Sequence, residues 1–257
     1  MCSIHRSIIQ ELVSTKVYKV KKIQGDDDDL KCRFCHEKQE NVTHIMCNCS
    51  AIAQSLYKSR HDHMLRPVYH AVLKKFSLTD DEDKVTPWHK EPPPKSCVEN
   101  EYAKVLWDIP IYQDTPPSNG ANKPDIIVCD KKCNQWIILE GTICNVGEIQ
   151  QRDQMKTDKY TDLRSSLKRL YPGYKIIQVN IVFDYLSGYQ ENLIANLSSV
   201  GLTEGLNVVK KVSEMGYLTK LRDCKTSVQL LDHVHLCKFS HTDSCLGCKS
   251  AISVKTM

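Results

Sequence analysis

The chain has 257 residues, of which 41% are hydrophobic and 26% charged, with a formal net charge of +4. This balance fits a folded protein of one sizeable domain or two modest ones and excludes a disordered chain. No stretch approaches the roughly 18 consecutive apolar residues of a membrane span, and no apolar signal core follows Met1. An intracellular protein, nuclear or cytoplasmic and without a membrane partner, is therefore expected. The mild positive charge permits nucleic-acid binding but does not argue for it, because only a local basic patch would matter.

Ile8, Ile9, Leu12 and Val13 have helical spacing within residues 4–20, and an acidic run, Asp26 to Asp29, reads as a solvated linker. A cysteine cluster follows, Cys32-x2-Cys35-x8-His44-x4-Cys49. Thirteen cysteines without a secretory signal point to reduced thiols and, where clustered, to metal. Zinc takes four thiolate or imidazole ligands at tetrahedral corners, and these four residues fall within eighteen positions. Cys47 is an alternative to Cys49. Such a small knuckle has little apolar content of its own, so the metal would supply its stability.

From Ala51 to Phe76 the apolar residues Ile52, Leu56, Met64, Val68, Val72 and Phe76 recur near a 3.6 period, which predicts a helix, with Pro67 the place where it could be interrupted. Residues 79–98, with Pro92-Pro93-Pro94, read as a linker. Val105, Trp107, Ile109 and Ile111 alternate as in a strand, followed by the turn-rich Pro116 to Gly120. Ile126-Ile127-Val128 and Trp136 to Leu139 read as two short buried strands. Residues 147–170 predict one long amphipathic helix stopped by Pro172-Gly173, Lys175 to Phe183 a further strand, and residues 189–199 and 203–222 two more helices. Strand, strand, strand, helix, strand, helix is the order of a mixed α/β layer fold with helices flanking the sheet.

Two carboxylates stand out in this order. Asp125 opens one predicted strand and Glu140 ends the next, so a short turn between them would bring both to one sheet edge. Magnesium prefers such hard oxygen ligands, keeps several waters, and activates phosphate and water. A lysine beside the pair would stabilise charge on a scissile phosphate. The position two residues after Glu140 is Thr142, but Lys156, Lys159 and Tyr160 share one face of the next predicted helix. Basic stripes are also visible at Lys156, Arg164, Lys168 and Arg169 and at Arg60, Arg66, Lys74 and Lys75, while Trp107, Trp136 and Tyr160 read as core or site-shaping residues. In the tail, Cys237, His241, Cys245 and Cys248, with His233 and His235 nearby, leave a second zinc site open at looser spacing.

Several of these segments together resemble one family. Cys32-Arg33-Phe34-Cys35, Val42-Thr43-His44-Ile45, Cys49, Ala53-Gln54 and Arg60-His61-Asp62 are similar to a stretch of non-LTR retrotransposon polyproteins whose endonuclease is restriction-enzyme-like. The similarity continues through Leu106-Trp107-Asp108, Lys123-Pro124-Asp125-Ile126, Leu139-Glu140-Gly141-Thr142 and Lys156-x2-Lys159-Tyr160-x2-Leu163, across roughly residues 25–200. The resemblance implies a CCHC knuckle ligated by Cys32, Cys35, His44 and Cys49. It implies a PD-(D/E)xK nuclease core in which Asp125 and Glu140 hold magnesium and Lys156 is the catalytic lysine, with Lys159 and Tyr160 beside it. Arg60, His61 and Lys123 would engage nucleic acid, with target DNA and element RNA as partners, and the nick would prime reverse transcription.

The chain would then divide into a connector remnant (1–30), the knuckle and following helix (31–78), a linker (79–98), the nuclease core (99–200) and a Cys/His-rich tail (201–257). It has no Tyr/Phe-x-Asp-Asp box, so no polymerase activity is expected. A zinc-dependent nucleic-acid-binding remnant with an inactive nuclease core is the alternative reading.

Overall fold

The computed structural model describes residues 15–22, 29–78, 92–202, 205 and 207–212. It shows a mixed α/β fold in which a five-stranded sheet is flanked by helices. The Cys/His set of the tail, from His233 to Cys248, lies outside the described residues, as does most of the helix expected at 203–222. No helix among the described residues is long and apolar enough to cross a membrane.

Helix α1 (Lys16–Lys22) starts where the Thr15 hydroxyl accepts a hydrogen bond from the Tyr18 N–H at 3.2 Å, satisfying a donor that the helix cannot. The knuckle follows. Three short helical turns, His44–Asn48, Ser50–Ile52 and Ala53–Tyr57, then lead directly into α2 (Lys58–Lys75). No interruption occurs at Pro67, and α2 runs through it. Met64, Leu65, Val68 and Tyr69 on either side of Pro67 are all buried, and their packing offsets the one backbone hydrogen bond that a proline cannot make.

The strands are β1 (Cys97–Glu99), β2 (Ala103–Trp107), β3 (Ile126–Asp130), β4 (Gln135–Cys144) and β5 (Lys175–Asp184), in that spatial order. The first four are antiparallel neighbours, and β5 lies parallel to β4. The residues expected to be linker therefore already contain the start of an edge strand at Cys97 and Val98. A parallel pair requires a crossover, and two helices supply it: α3 (Ile149–Lys159) and α4 (Thr161–Leu170). The single helix expected here is broken at Tyr160, whose backbone leaves the helical region (φ −105°, ψ 20°) and whose side chain is fully buried. Helix α5 (Leu193–Ser199) follows β5.

The period-two pattern sorts side chains onto two faces of the sheet. Val105, Trp107, Ile126, Val128, Ile137, Leu139, Val179 and Ile181 pack with α2 and α5 in the larger core. Ile127, Cys129, Trp136 and Ile138 pack on the other face with Tyr160, Leu163 and Leu167. Gly141 of β4 belongs to the first face. A Cβ placed there would lie 2.8–2.9 Å from the side chain of Leu65, so the absence of one lets α2 rest directly on the strand.

Candidate functional site

Two places in the structure gather chemistry-bearing side chains. The first is the knuckle. The ligand atoms of Cys32, Cys35, His44 and Cys49 all lie within 4.8 Å of one another. The Cys32 and Cys49 sulfurs are 3.8 Å apart, and Cys35 Sγ is 3.3 Å from His44 Nε2. A tetrahedral zinc with Zn–S bonds of about 2.3 Å separates its sulfurs by about 3.8 Å, so the donor set fits the ion in type and spacing. Cys47 instead packs against Val42, Met46, Tyr185 and Leu186, outside the set.

The electrostatics agree with that fit. Backbone N–H groups of Lys38 and Glu37 hold the Cys35 thiol below its ordinary pKa. Burial pushes the Cys49 thiol up to about 12, a cost that a bound cation removes. Burial lowers the His44 pKa, keeping its ring in the neutral form that ligates metal. Glu40, 1% exposed, braces the loop by accepting the backbone N–H groups of Lys16 and Arg33 and the Arg33 guanidinium. The four ligands and their spacing were visible in the sequence; Glu40 was not, because its partners are reached only in the folded loop.

The second place is one end of the sheet. Asp125, immediately before β3, and Glu140 in β4 share the face that α3 and α4 cover. Glu140 does not end its strand as expected. Pairing with β3 stops at Leu139, whereas pairing with β5 continues to Cys144, so Glu140 sits where one neighbour ends and the other goes on. The Asp125 N–H donates to Glu140 Oε2 at 3.1 Å. Glu140 Oε1 accepts from Lys156 Nζ at 2.7 Å and Lys159 Nζ at 3.0 Å. Both lysines are thus on the acid, although they lie sixteen and nineteen residues from it in the chain. Asp125 Oδ2 accepts from the Gly141 N–H at 2.8 Å and from His61 Nε2 at 3.1 Å.

Helix α3, which carries the lysines, contributes no fully buried side chain. A polar network on β5 holds it instead. Asn180, the register partner of Glu140, donates to the carbonyl and side-chain oxygens of Asp153 and to Thr157 Oγ1, and Gln178 Nε2 donates to the Lys156 carbonyl at 2.8 Å. Neither residue stood out in the sequence, since a polar residue in a β-branched strand has no meaning until its neighbour is known.

The remaining expected site residues have specific places. Tyr160 is buried and donates to the Lys123 carbonyl at 2.8 Å, with Lys159 Nζ 4.6 Å from its ring centre. Burial and the charges of Glu140 and Asp125 raise its pKa, so the phenol stays protonated. Lys123 pairs with Asp108 at 2.8 Å, and Asp108 itself has a left-handed backbone (φ 50°) and donates its N–H to the Asp125 carbonyl.

Arg60 is 4% exposed and donates to the Met46 carbonyl at 2.7 Å. Arg66 is also buried, and Lys75 donates to the Val200 carbonyl, so of the stripe expected at Arg60, Arg66, Lys74 and Lys75 only Lys74 is exposed. The other stripe is also dispersed: Lys156 turns to Glu140, Arg164 to the Thr157 carbonyl and Arg169 to Asp114. Trp107 stands edge-on to Tyr69 in one core and Trp136 lies in the other, as expected for core residues.

His61 donates from both ring nitrogens, to Asp125 and, at 3.1 Å, to Asp62, which Lys58 also holds at 3.0 Å. Burial opposes a charge on the ring, but the two carboxylates outweigh it and raise the His61 pKa to about 10. The same contacts hold the Asp125 carboxyl below its ordinary value despite its burial. The raised pKa favours the imidazolium beside Asp125.

No protein-family model and no curated protein sequence matches the chain. Among solved structures, an N-terminal domain of a reptarenavirus L protein is similar at 13% identity, with 82% of this chain and 92% of that chain covered and a TM-score of 0.27. A likeness that loose bears on neither fold nor function.

Proposed function

We propose that the chain is a metal-dependent DNA endonuclease of the retrotransposon type, nicking target DNA by phosphodiester hydrolysis to prime reverse transcription. The observation that carries the reading is the convergence of Asp125, Glu140, Lys156 and Lys159 at one end of the sheet, from two strands and a crossover helix. Two carboxylates on one face fit a hard divalent cation whose remaining ligands are water and phosphate. Both donors to Asp125 take Oδ2, which leaves Oδ1 to offer a metal. Magnesium held there would polarise the phosphate and acidify a water.

The chain's own residues would do the rest. Asp125 and Glu140 would orient that water toward phosphorus; the new P–O bond would form as the bond from phosphorus to the 3′ oxygen breaks, with the proton lost by the water passing to solvent and the 3′ oxygen taking one from solvent. Lys156 and Lys159, released from Glu140 Oε1, would offset the charge that grows on the phosphate. The knuckle and Lys123 would engage the nucleic acid, DNA first and element RNA second.

One observation favours the alternative, an inactive zinc-dependent nucleic-acid-binding module. Glu140 already has both oxygens in hydrogen bonds, Oε1 to two ammonium groups and Oε2 to the Asp125 N–H, so a metal would find only the remaining lone pair of Oε2 unless a lysine leaves Oε1. Nicking of supercoiled plasmid with magnesium separates the two. Nicking by the wild type and none by Asp125→Asn supports the enzyme; DNA binding without nicking by either supports the module.

A further inference from the structure

Helix α2 connects the two sites. Its first turns are bolted to the knuckle. Tyr57 accepts the backbone N–H of the ligand Cys49 at 3.0 Å and donates to the carbonyl of Ile45, next to the ligand His44, at 2.8 Å. The Arg60 guanidinium lies 5.0 Å from the Tyr57 ring centre and binds the Met46 carbonyl, inside the same short turn. The knuckle also touches the loops that follow β4 and β5, through Asn48 with Asn145 at 3.5 Å and Thr43 with Tyr185 at 3.4 Å.

The very next residue after Arg60 reaches the other site. His61 bonds Asp125 Oδ2 and is itself oriented by Asp62. One turn further along, Leu65 rests on Gly141, whose N–H is the second donor to the same oxygen. Helix α2 thus supplies one contact to the Asp125 carboxylate and packs on the strand residue that supplies the other.

We propose that the metal-loaded knuckle is the positioning scaffold of the acid site, acting through Arg60 and His61, with His61 a positioning residue that holds Asp125 by Oδ2 and aims Oδ1 at the cation. The proposal rests on the nuclease reading for the identity of that cation, but the mechanical link between the knuckle and Asp125 stands apart from it. A knuckle serving only to grip nucleic acid would need neither a buried arginine at its base nor a neighbour on the acid. Partners that orient metal-binding side chains typically contribute about 10- to 100-fold in metal affinity or activity.

The experiment uses the full chain with one zinc bound, as wild type, His61→Ala, His61→Gln, Arg60→Met and Asp125→Asn. Three quantities are measured: binding of Mn2+ by electron paramagnetic resonance, plasmid nicking, and the proton–nitrogen NMR signal of the His61 ring Nε2–H, before and after zinc is removed by a chelator. His61→Ala is expected to bind Mn2+ and to nick about tenfold less well, at unchanged zinc content. His61→Gln, which keeps a donor near the Nε2 position, recovers most of the loss. The ring signal is sharp in the zinc-loaded wild type and is lost in Asp125→Asn, in Arg60→Met and on zinc removal.

A ring signal that survives either zinc removal or Arg60→Met overturns the proposal, as does His61→Ala binding Mn2+ as tightly as a wild type that binds it. If the wild type neither nicks nor binds Mn2+ while the ring signal still follows zinc, the link is upheld and the nuclease reading alone fails.

Discussion

The N–H of Asp125 donates to Oε2 of Glu140 across a gap of fifteen residues, tying the end of one strand to the side chain of the next. The bond fixes the spacing of the two acids before any ligand arrives. It also makes Glu140, 1% exposed and in contact with two lysines, the most heavily committed carboxylate of the site.

The pair of lysines on one oxygen predicts non-additive stability. Lys156→Met or Lys159→Met alone leaves Glu140 one counter-charge, and each is expected to cost little, since both lysines are partly exposed. The double variant strands a buried carboxylate and is expected to lose about 3 kcal/mol or more. Chemical denaturation of the four proteins measures this, and simple additivity would contradict it.

Zinc should be stoichiometric. Purified protein is expected to carry one zinc per chain, and Cys32→Ser, Cys49→Ser or His44→Ala less than one, by atomic absorption. Cys47→Ser is expected to keep the full zinc complement, because Cys47 lies outside the ligand set.

Stability should fall on both sides of neutrality for reasons that can be assigned. His61 has an ordinary pKa of 6.5 and is raised to about 10 by its two carboxylates. A raised folded pKa gives a contribution fully present below 6.5 and lost as pH climbs through 10. Asp125 and Asp62 are held below their ordinary 3.8, so their contribution is present above that value and lost as pH falls below it. Melting temperatures measured from pH 6 to 10 should decline in the wild type and decline less in His61→Gln.

Gly141→Val places side-chain atoms where Leu65 already lies, at a position where even a Cβ has only 2.8 Å. The strain is expected to cost about 1–3 kcal/mol and to lower nicking as well, because α2 carries His61 away from Asp125 as it is displaced. Leu65→Ala leaves a cavity in the same place and is expected to cost about 2–5 kcal/mol. A Gly141→Val protein as stable as wild type would show that α2 tolerates displacement.

Asn180→Ala frees the middle of α3 from β5 by removing the amide group that donates to Asp153 and Thr157. Since that helix buries no side chain fully, amide hydrogen exchange in residues 149–159 is expected to accelerate more than in α4, which is anchored by Leu163 and Leu167. Equal exchange in the two helices would contradict the account of how the lysines are held.

The sequence by itself determined the local features. Ligand spacing specified the knuckle, because four metal donors within one loop need little tertiary help. The apolar run Ile126 to Val128 and the β-branched run Lys175 to Phe183 specified two strands, and periodicity the apolar face of α2, because burial is written into the residue order. Tertiary structure decided everything that depends on a partner distant in the chain.

It carried α2 through Pro67 by packing, broke the long helix at Tyr160 by drawing that side chain into the core, and extended β4 past Glu140 by supplying β5 as a neighbour. It also buried Arg60 and set His61 against Asp125. A histidine beside an arginine on a helix reads as surface until the strand beneath it is in place, and the meaning of both residues comes from what the fold sets against them.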